Sequence, residues 1–404
     1  MGLAFRDPMH DEFGTWPVAY IPYGGADLGE ILAVGQTVGD GDDSDFYNAW
    51  TAAGERLAEE ASQCQRRKLH SSARELFLRA SAFYATSYRP LYGPQRDPRL
   101  LEAFNRQRDL FNAGLALSTF PLEPMRIPFE GTSMPAWLIP AIGMEQEVRP
   151  LIILNNGYDA TATDLYFFSA VAASRRGYHC LIFDGPGQGE MLFEQNLPLR
   201  PDWETVITAV IDFTLHLPVV APNRIAIFGE SLGGYLAPRA ASVEHRLAAC
   251  IADPGLWSIV GQFRDVVGKL GATPDAVNNL GDLDAQMLAR LTQTIAAEPQ
   301  LKWKIMQRGF WTHGVDNLGD YLRSAEQFTM DGRAEAIGCP TLLTQAENDP
   351  LARGAQDFFD RLTCPKTLLR FSAAEGAGSH CEMRNRSLLN RRVLDWLDGV
   401  MFHL

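Results

Sequence analysis

Gly229-Glu230-Ser231-Leu232-Gly233 sets a serine between two glycines, directly after the apolar run Arg224-Ile225-Ala226-Ile227-Phe228 and ahead of a stretch of helical composition, Leu232 to His245. This G-x-S-x-G order suits a sharp strand-to-helix turn that holds a strained serine above the end of a sheet, where it can act as a nucleophile. The glycines are needed because the two backbones pass too close for a Cβ. In a chain with 35 glycines the pattern alone is weak, and the strand before it and helix after it give it weight.

A serine hydroxyl is a poor nucleophile without a base, and the base needs a third group to fix its tautomer. On a strand-turn-helix serine the partners follow in chain order, acid and then histidine. His313 and His380 lie well beyond the Ser231 helix and short of the C-terminus. His380 sits in Gly376-Ala377-Gly378-Ser379-His380-Cys381-Glu382, just after the last apolar strand pattern, where the base belongs. His313 falls in a long helical stretch and reads as a surface or substrate contact. Asp349 follows the strand pattern Thr341–Thr344, and Pro350 keeps it out of the helical region, which makes it the expected acid. Glu347 and Asp253 are its rivals. Two N–H donors must meet the oxyanion. One is Leu232, at a helix N-terminus. The other is expected in the turn Asn155-Asn156-Gly157-Tyr158-Asp159, where Gly157 permits the turn and Tyr158 donates. Asp159 then becomes a carboxylate near the nucleophile, either an auxiliary acid or substrate contact, or a cap for the next helix. Asp184-Gly185-Pro186-Gly187-Gln188-Gly189 fails the dinucleotide pattern G-x-G-x-x-G because Leu192 stands at the third glycine, so it reads as a tight turn beside the site.

Positioning these groups takes a particular scaffold. Residues 1–45 show little periodic structure. Helical spacing runs from Asp45 to Lys68, Ser71 to Tyr88 and Asp97 to Leu117, a helical N-terminal domain over 1–122. From Met125 the period changes to a hairpin, Met125–Phe129 and Met134–Ile139. Strands at Pro150–Leu154, His179–Phe183, the elbow and Ala248–Ala252 then alternate with helices. The fold class is α/β, a mostly parallel sheet with helices on both faces, the first part of the core spanning 123–253. Alternation stops over 254–337, which is helical in pattern and rich in aromatic residues. An insertion there sits above the sheet's carboxyl edge and reads as a lid, with Trp257, Trp303 and Trp311 as candidate pocket residues. Its aromatics packing a small core of their own is the other reading. The core resumes over 338–404.

Composition bounds the rest. The 404 residues are 46% hydrophobic, ample for a large core. A net charge of −13 argues against nucleic-acid or anionic-membrane partners. Six scattered cysteines, no apolar run of membrane length and no basic leader predict a cytoplasmic protein. No metal or cofactor motif stands out.

Gly-Glu-Ser-Leu-Gly-Gly at 229–234, Asp-Gly-Pro-Gly-Gln-Gly-Glu at 184–190 and Glu-Gly-Ala-Gly-Ser-His-Cys at 375–381 resemble the α/β-hydrolases that include 2,6-dihydroxypseudooxynicotine hydrolase and the fungal heptaketide hydrolases of melanin synthesis. Tyr23-Gly24-Gly25-Ala26-Asp27 and the run Ser72 to Ser81 resemble that group's N-terminal domain, so the likeness spans almost the whole chain. It implies an α/β-hydrolase fold and a Ser231, Asp349, His380 triad. It also implies hydrolysis of a carbon–carbon bond next to a carbonyl in an aryl ketone or polyketide, and a homodimer. The nicotine-pathway member carries an extra catalytic Glu where this chain has Asp159, one methylene shorter, and its segment between nucleophile and acid looks shorter than here. An esterase, thioesterase or acyl-transferring cyclase fits the same triad, and a non-catalytic ligand-binding protein is the reading from another class.

Overall fold

The computed structural model describes residues 2–120 and 122–402. Among them one mixed sheet holds β1 (Met125–Phe129), β2 (Thr132–Ile139), β3 (Arg149–Asn155), β4 (His179–Phe183), β5 (Val220–Glu230), β6 (Ala249–Asp253), β7 (Thr341–Ala346) and β8 (Lys366–Phe371), in the order β1-β2-β4-β3-β5-β6-β7-β8. β1 and β2 form an antiparallel hairpin, β2 meets β4 antiparallel, and every later pairing is parallel. The strands read as unbroken apolar runs because both faces are covered. Leu151, Ile153, Ile225 and Ile227 point into one core with Val206, Val210 and Leu236, while Ile152, Leu154, Ala226 and Phe228 point into the other with Phe167, Val393 and Leu397.

The site's location follows from register. Asn155 pairs with Gly229 and Glu230 with Asp253, so β3, β5 and β6 end level with one another. After β3 the chain goes to β4 on one side, then returns to β5 on the other, and the crevice outside such a reversal is where open α/β sheets bind ligands.

The N-terminal helices Asp43–Arg66, His70–Ser87 and Pro98–Ala116 lie close to their expected bounds. Asp42 caps the first by accepting from Ser44 and Asp45 N–H, and Asp97 with Pro98 starts the third. Residues 1–45 differ from expectation, for they hold helices Pro8–Gly14 and Leu28–Val38 and a 3-10 stretch Trp16–Tyr23. Gly35 looks like a helix breaker in sequence, yet it is a close approach: a Cβ there would lie 2.1 Å from the Ala4 carbonyl oxygen.

Residues 254–337 are helical, as the pattern predicts, and much of this insertion packs on its own core of Val260, Val267, Leu291, Ile295, Tyr321 and Leu322. Trp303 and Trp311 depart from the pocket expectation. They leave that core and enter the N-terminal one, where Trp303 meets Phe13 at 4.6 Å and stacks on Tyr92, and Trp311 stacks on Phe193 at 5.3 Å. Trp303 is 2% exposed and its Nε1–H donates to the Arg89 carbonyl, so its aromatic surface is buried against the N-terminal helices. Trp257 is half-buried and packs edge-on against Phe358. Among the described residues no helix is long and apolar enough to cross a membrane.

Candidate active site

Ser231 sits between β5 and the helix Gly233–Ala241 with φ +61, a conformation a non-glycine residue holds only where its surroundings over-determine it. They do. A Cβ on Gly229 would fall 1.9 Å from the Gly233 carbonyl oxygen, and Ser231 N–H is fixed on the Asp253 carbonyl at 2.7 Å. His380 reaches Ser231 Oγ with Nε2 at 3.0 Å and Asp349 Oδ2 with Nδ1 at 2.8 Å. Asp349 also accepts from Leu351 N–H, and because a carboxylate only accepts, its contact with Nδ1 calls for a proton on Nδ1 and leaves Nε2 of the neutral ring facing the serine hydroxyl. Burial disfavours the imidazolium, but the Asp349 charge and hydrogen bond outweigh it and raise the His380 pKa. Burial likewise works against the Asp349 carboxylate, and His380 with the Leu351 amide still holds its pKa below the usual value. The rival acids are engaged elsewhere: Asp253 with Thr344 and Arg386, Glu347 with the Ala373 amide.

The turn after β3 lies against Ser231. A Cβ on Gly157 would sit 2.7 Å from Ser231 Cβ and 2.8 Å from Leu232 N, so only glycine lets the turn come this close. Among the described residues neither Tyr158 N–H nor Leu232 N–H donates to another protein group. The side chains of the turn are taken by the insertion. Arg308 Nη1 pairs with both Asp159 oxygens at 3.1 and 2.8 Å, and its guanidinium lies over the Tyr158 ring at 4.5 Å. Tyr158 OH contacts His313 Nε2 at 2.6 Å, and His313 Nδ1 contacts Ser324 Oγ. His313 is therefore a buried anchor for Tyr158, and not a surface group. Burial and then the Arg308 charge push its pKa down to about 3, which keeps it neutral.

Below the site the tight turn after β4 braces the same loop. Asp184 accepts from Asn156 Nδ2 and Ala162 N–H, with its pKa raised to about 7 by burial, and Gln188 Nε2 donates to the Asn156 and Gly157 carbonyls. Arg386, fully buried, bonds Glu230 of the elbow, Asp253 of β6 and the Cys381 carbonyl beside His380. One guanidinium thus ties three loops of the site together. Burial, reinforced by Asp253, drives the neighbouring Glu382 carboxyl well above its ordinary pKa.

Arg308, Arg89 and Arg386 carry no sequence motif. Arg308 lies 149 residues from Asp159, Arg89 lies 70 residues from the Asp159 carbonyl it bonds, and Arg386 lies 133 residues from Asp253, so nothing in local spacing announces these contacts.

Residues 151–388 match the model of the Alpha/beta hydrolase family. The chain is 32% identical over 407 residues to 20-hydroxy-prefusarin hydrolase FUS2 of Gibberella moniliformis, covering 94% of this chain and 93% of that protein. It is 31% identical over 395 residues to hydrolase LUC6 of a Fusarium species, covering 93% of each. Among solved structures, 2,6-dihydroxy-pseudo-oxynicotine hydrolase superposes with a TM-score of 0.74 over 95% of both chains at 21% identity, a likeness of fold. On its sheet, its elbow and these relatives, the chain belongs to the alpha/beta hydrolase family.

Proposed function

We propose that this protein is a serine hydrolase that cleaves the carbon–carbon bond beside a carbonyl in an aromatic or polyketide-like ketone. The observation that carries the reading is His380 bridging Ser231 Oγ and Asp349 at 3.0 and 2.8 Å on a strained elbow. Carbon–carbon cleavage is supported by the resemblance to 2,6-dihydroxypseudooxynicotine hydrolase, and a polyketide-like substrate by the name of the relative 20-hydroxy-prefusarin hydrolase FUS2.

Ser231 Oγ attacks the ketone carbon and its proton passes to His380 Nε2, with Asp349 stabilising the imidazolium. The tetrahedral oxyanion accepts from Tyr158 and Leu232 N–H. Collapse restores the carbonyl and breaks the C–C bond. The departing electron pair is stabilised as an enolate or by an aromatic ring, and His380 protonates it. Water, deprotonated by His380, then attacks the Ser231 ester and releases a carboxylic acid. Asp159 is an auxiliary group whose charge is balanced by Arg308, available to hydrogen-bond a substrate hydroxyl.

The triad distances are equally suited to esters and thioesters, so ester hydrolysis or acyl transfer is the second reading. Wild type and Ser231→Ala are to be assayed on aryl β-diketones and p-nitrophenyl esters, with products identified by mass. Diketone cleavage lost in the variant supports C–C hydrolysis, ester turnover alone moves the assignment to an esterase or acyl-transferring enzyme, and activity surviving in Ser231→Ala removes the serine mechanism.

A further inference from the structure

We propose that Arg89, in the helical N-terminal region, is a positioning residue for the oxyanion donor, fixing the turn 157–159 through the Asp159 carbonyl so that Tyr158 N–H is presented to the reacting oxygen. The inference rests on the serine-hydrolase reading above.

The sheet itself does not hold this turn. Ladder pairing of β3 ends at Asn155, and the bracing by Gln188 ends at the Gly157 carbonyl. At Tyr158 and Asp159 the grip comes from outside the sheet. Two donors converge on one acceptor, Arg89 Nη1 at 3.0 Å and Tyr92 OH at 3.1 Å from the Asp159 carbonyl oxygen. Arg89 Nη2 meanwhile pairs with Asp164 Oδ1 at 2.9 Å, and Asp164 Oδ2 accepts from Thr161 N–H. One planar fork therefore spans both ends of the 159–164 segment and fixes their separation.

The burial of this arginine argues for geometry over stability. Its side chain is 1% exposed, its guanidinium lies 3.7 Å over the Trp16 ring, and its Nε–H has no partner. Taking an arginine out of water and leaving one donor unsatisfied is costly, and although Asp164 and the neighbouring tyrosines hold it charged, an apolar replacement of similar volume is often as stable. What an apolar residue cannot supply is a second donor aimed at a carbonyl two residues from Gly157. Trp303 of the insertion donates to the Arg89 carbonyl, so the N-terminal region and insertion position the turn as one unit.

The test uses the full chain with p-nitrophenyl ester hydrolysis as the readout and Ser231→Ala alongside. Tyr92→Phe removes one hydroxyl and no charge, and Arg89→Lys keeps the Asp164 pairing but loses the fork. Oxyanion charge exists only in the transition state, so kcat should fall and KM hold within about twofold. We expect about a tenfold drop in kcat for Tyr92→Phe and roughly a hundredfold drop for Arg89→Lys, from small displacement of a preorganised donor. Inhibition by an aryl trifluoromethyl ketone, whose adduct with Ser231 carries the oxyanion, should weaken in parallel with kcat/KM. A purely structural role would lower the melting temperature and the active fraction without that parallel. Unchanged kcat in both variants, with turnover abolished in Ser231→Ala, overturns this inference alone. Turnover that survives in Ser231→Ala overturns the serine reading and this inference with it.

Discussion

Lowering the pH from 7 to 5 should remove about 2 kcal/mol of stability through His313 alone. Tyr321 and Phe328 pack against its ring, Tyr158 and Ser324 contact its nitrogens, and Arg308 places a positive charge nearby. Burial first, and Arg308 second, put its folded pKa at about 3. In the unfolded chain the ordinary value of about 6.5 applies. Between those values the unfolded state binds a proton that the folded state refuses, so stability falls as pH falls. At pH 5 the unfolded imidazole is about 1.5 units below its pKa, and each unit is worth about 1.4 kcal/mol, which gives roughly 2 kcal/mol. The figure is insensitive to the folded value as long as that lies well under 5. His313→Gln keeps an acceptor for Tyr158 OH and removes the titration, while every other ionisable group stays common to both proteins. Urea unfolding followed by tryptophan fluorescence at pH 7 and pH 5 should show wild type losing about 2 kcal/mol more than the variant over that interval. Parallel losses in the two proteins would refute the picture of a neutral, buried His313 anchoring Tyr158.

Gly157→Ala forces a Cβ to within 2.7 Å of Ser231 Cβ, so the turn must retreat. Its kcat should fall roughly a hundredfold or more with the melting temperature little changed, and near-normal turnover would contradict the close approach. His380 must be neutral to act as base, and its pKa is raised, so kcat/KM should decline as pH falls through a value above the ordinary 6.5. An acidic limb wholly below pH 6 would contradict the Asp349 pairing. A double-mutant cycle of Asp159→Asn and Arg308→Gln should give a coupling of about 1–2 kcal/mol, since both groups are only 13–15% exposed; additivity would mean the pair does not hold the insertion to the turn. Asp159→Asn with unchanged kinetics would remove Asp159 as an auxiliary acid.

Local patterns carried much of the fold. Strands such as Leu151–Leu154 and Ile225–Phe228 are buried on both faces, so their apolar runs are unmistakable in sequence. The groups that converge on His380 were legible because each is announced by its own neighbours: glycines around Ser231, a proline after Asp349, a glycine-rich loop before His380. Contacts between distant segments were not. Arg308 and His313 look like ordinary helix residues until the insertion is folded down on Tyr158 and Asp159. Trp303 and Trp311 look like pocket aromatics because sequence gives burial without saying against what. Helix Leu28–Val38 was hidden by Gly29 and Gly35, the second a packing requirement that composition reads as a break.

The central claim is an acyl-enzyme on Ser231 formed by breaking a carbon–carbon bond. Mixing the protein with an aryl β-diketone, quenching in acid and mapping peptides by mass tests it directly. The account predicts that the peptide carrying Ser231 gains the mass of one acyl half of the diketone, with the other half released as a ketone, and that Ser231→Ala shows neither. Formation of the cleavage products with no adduct, and with undiminished yield in Ser231→Ala, would contradict it.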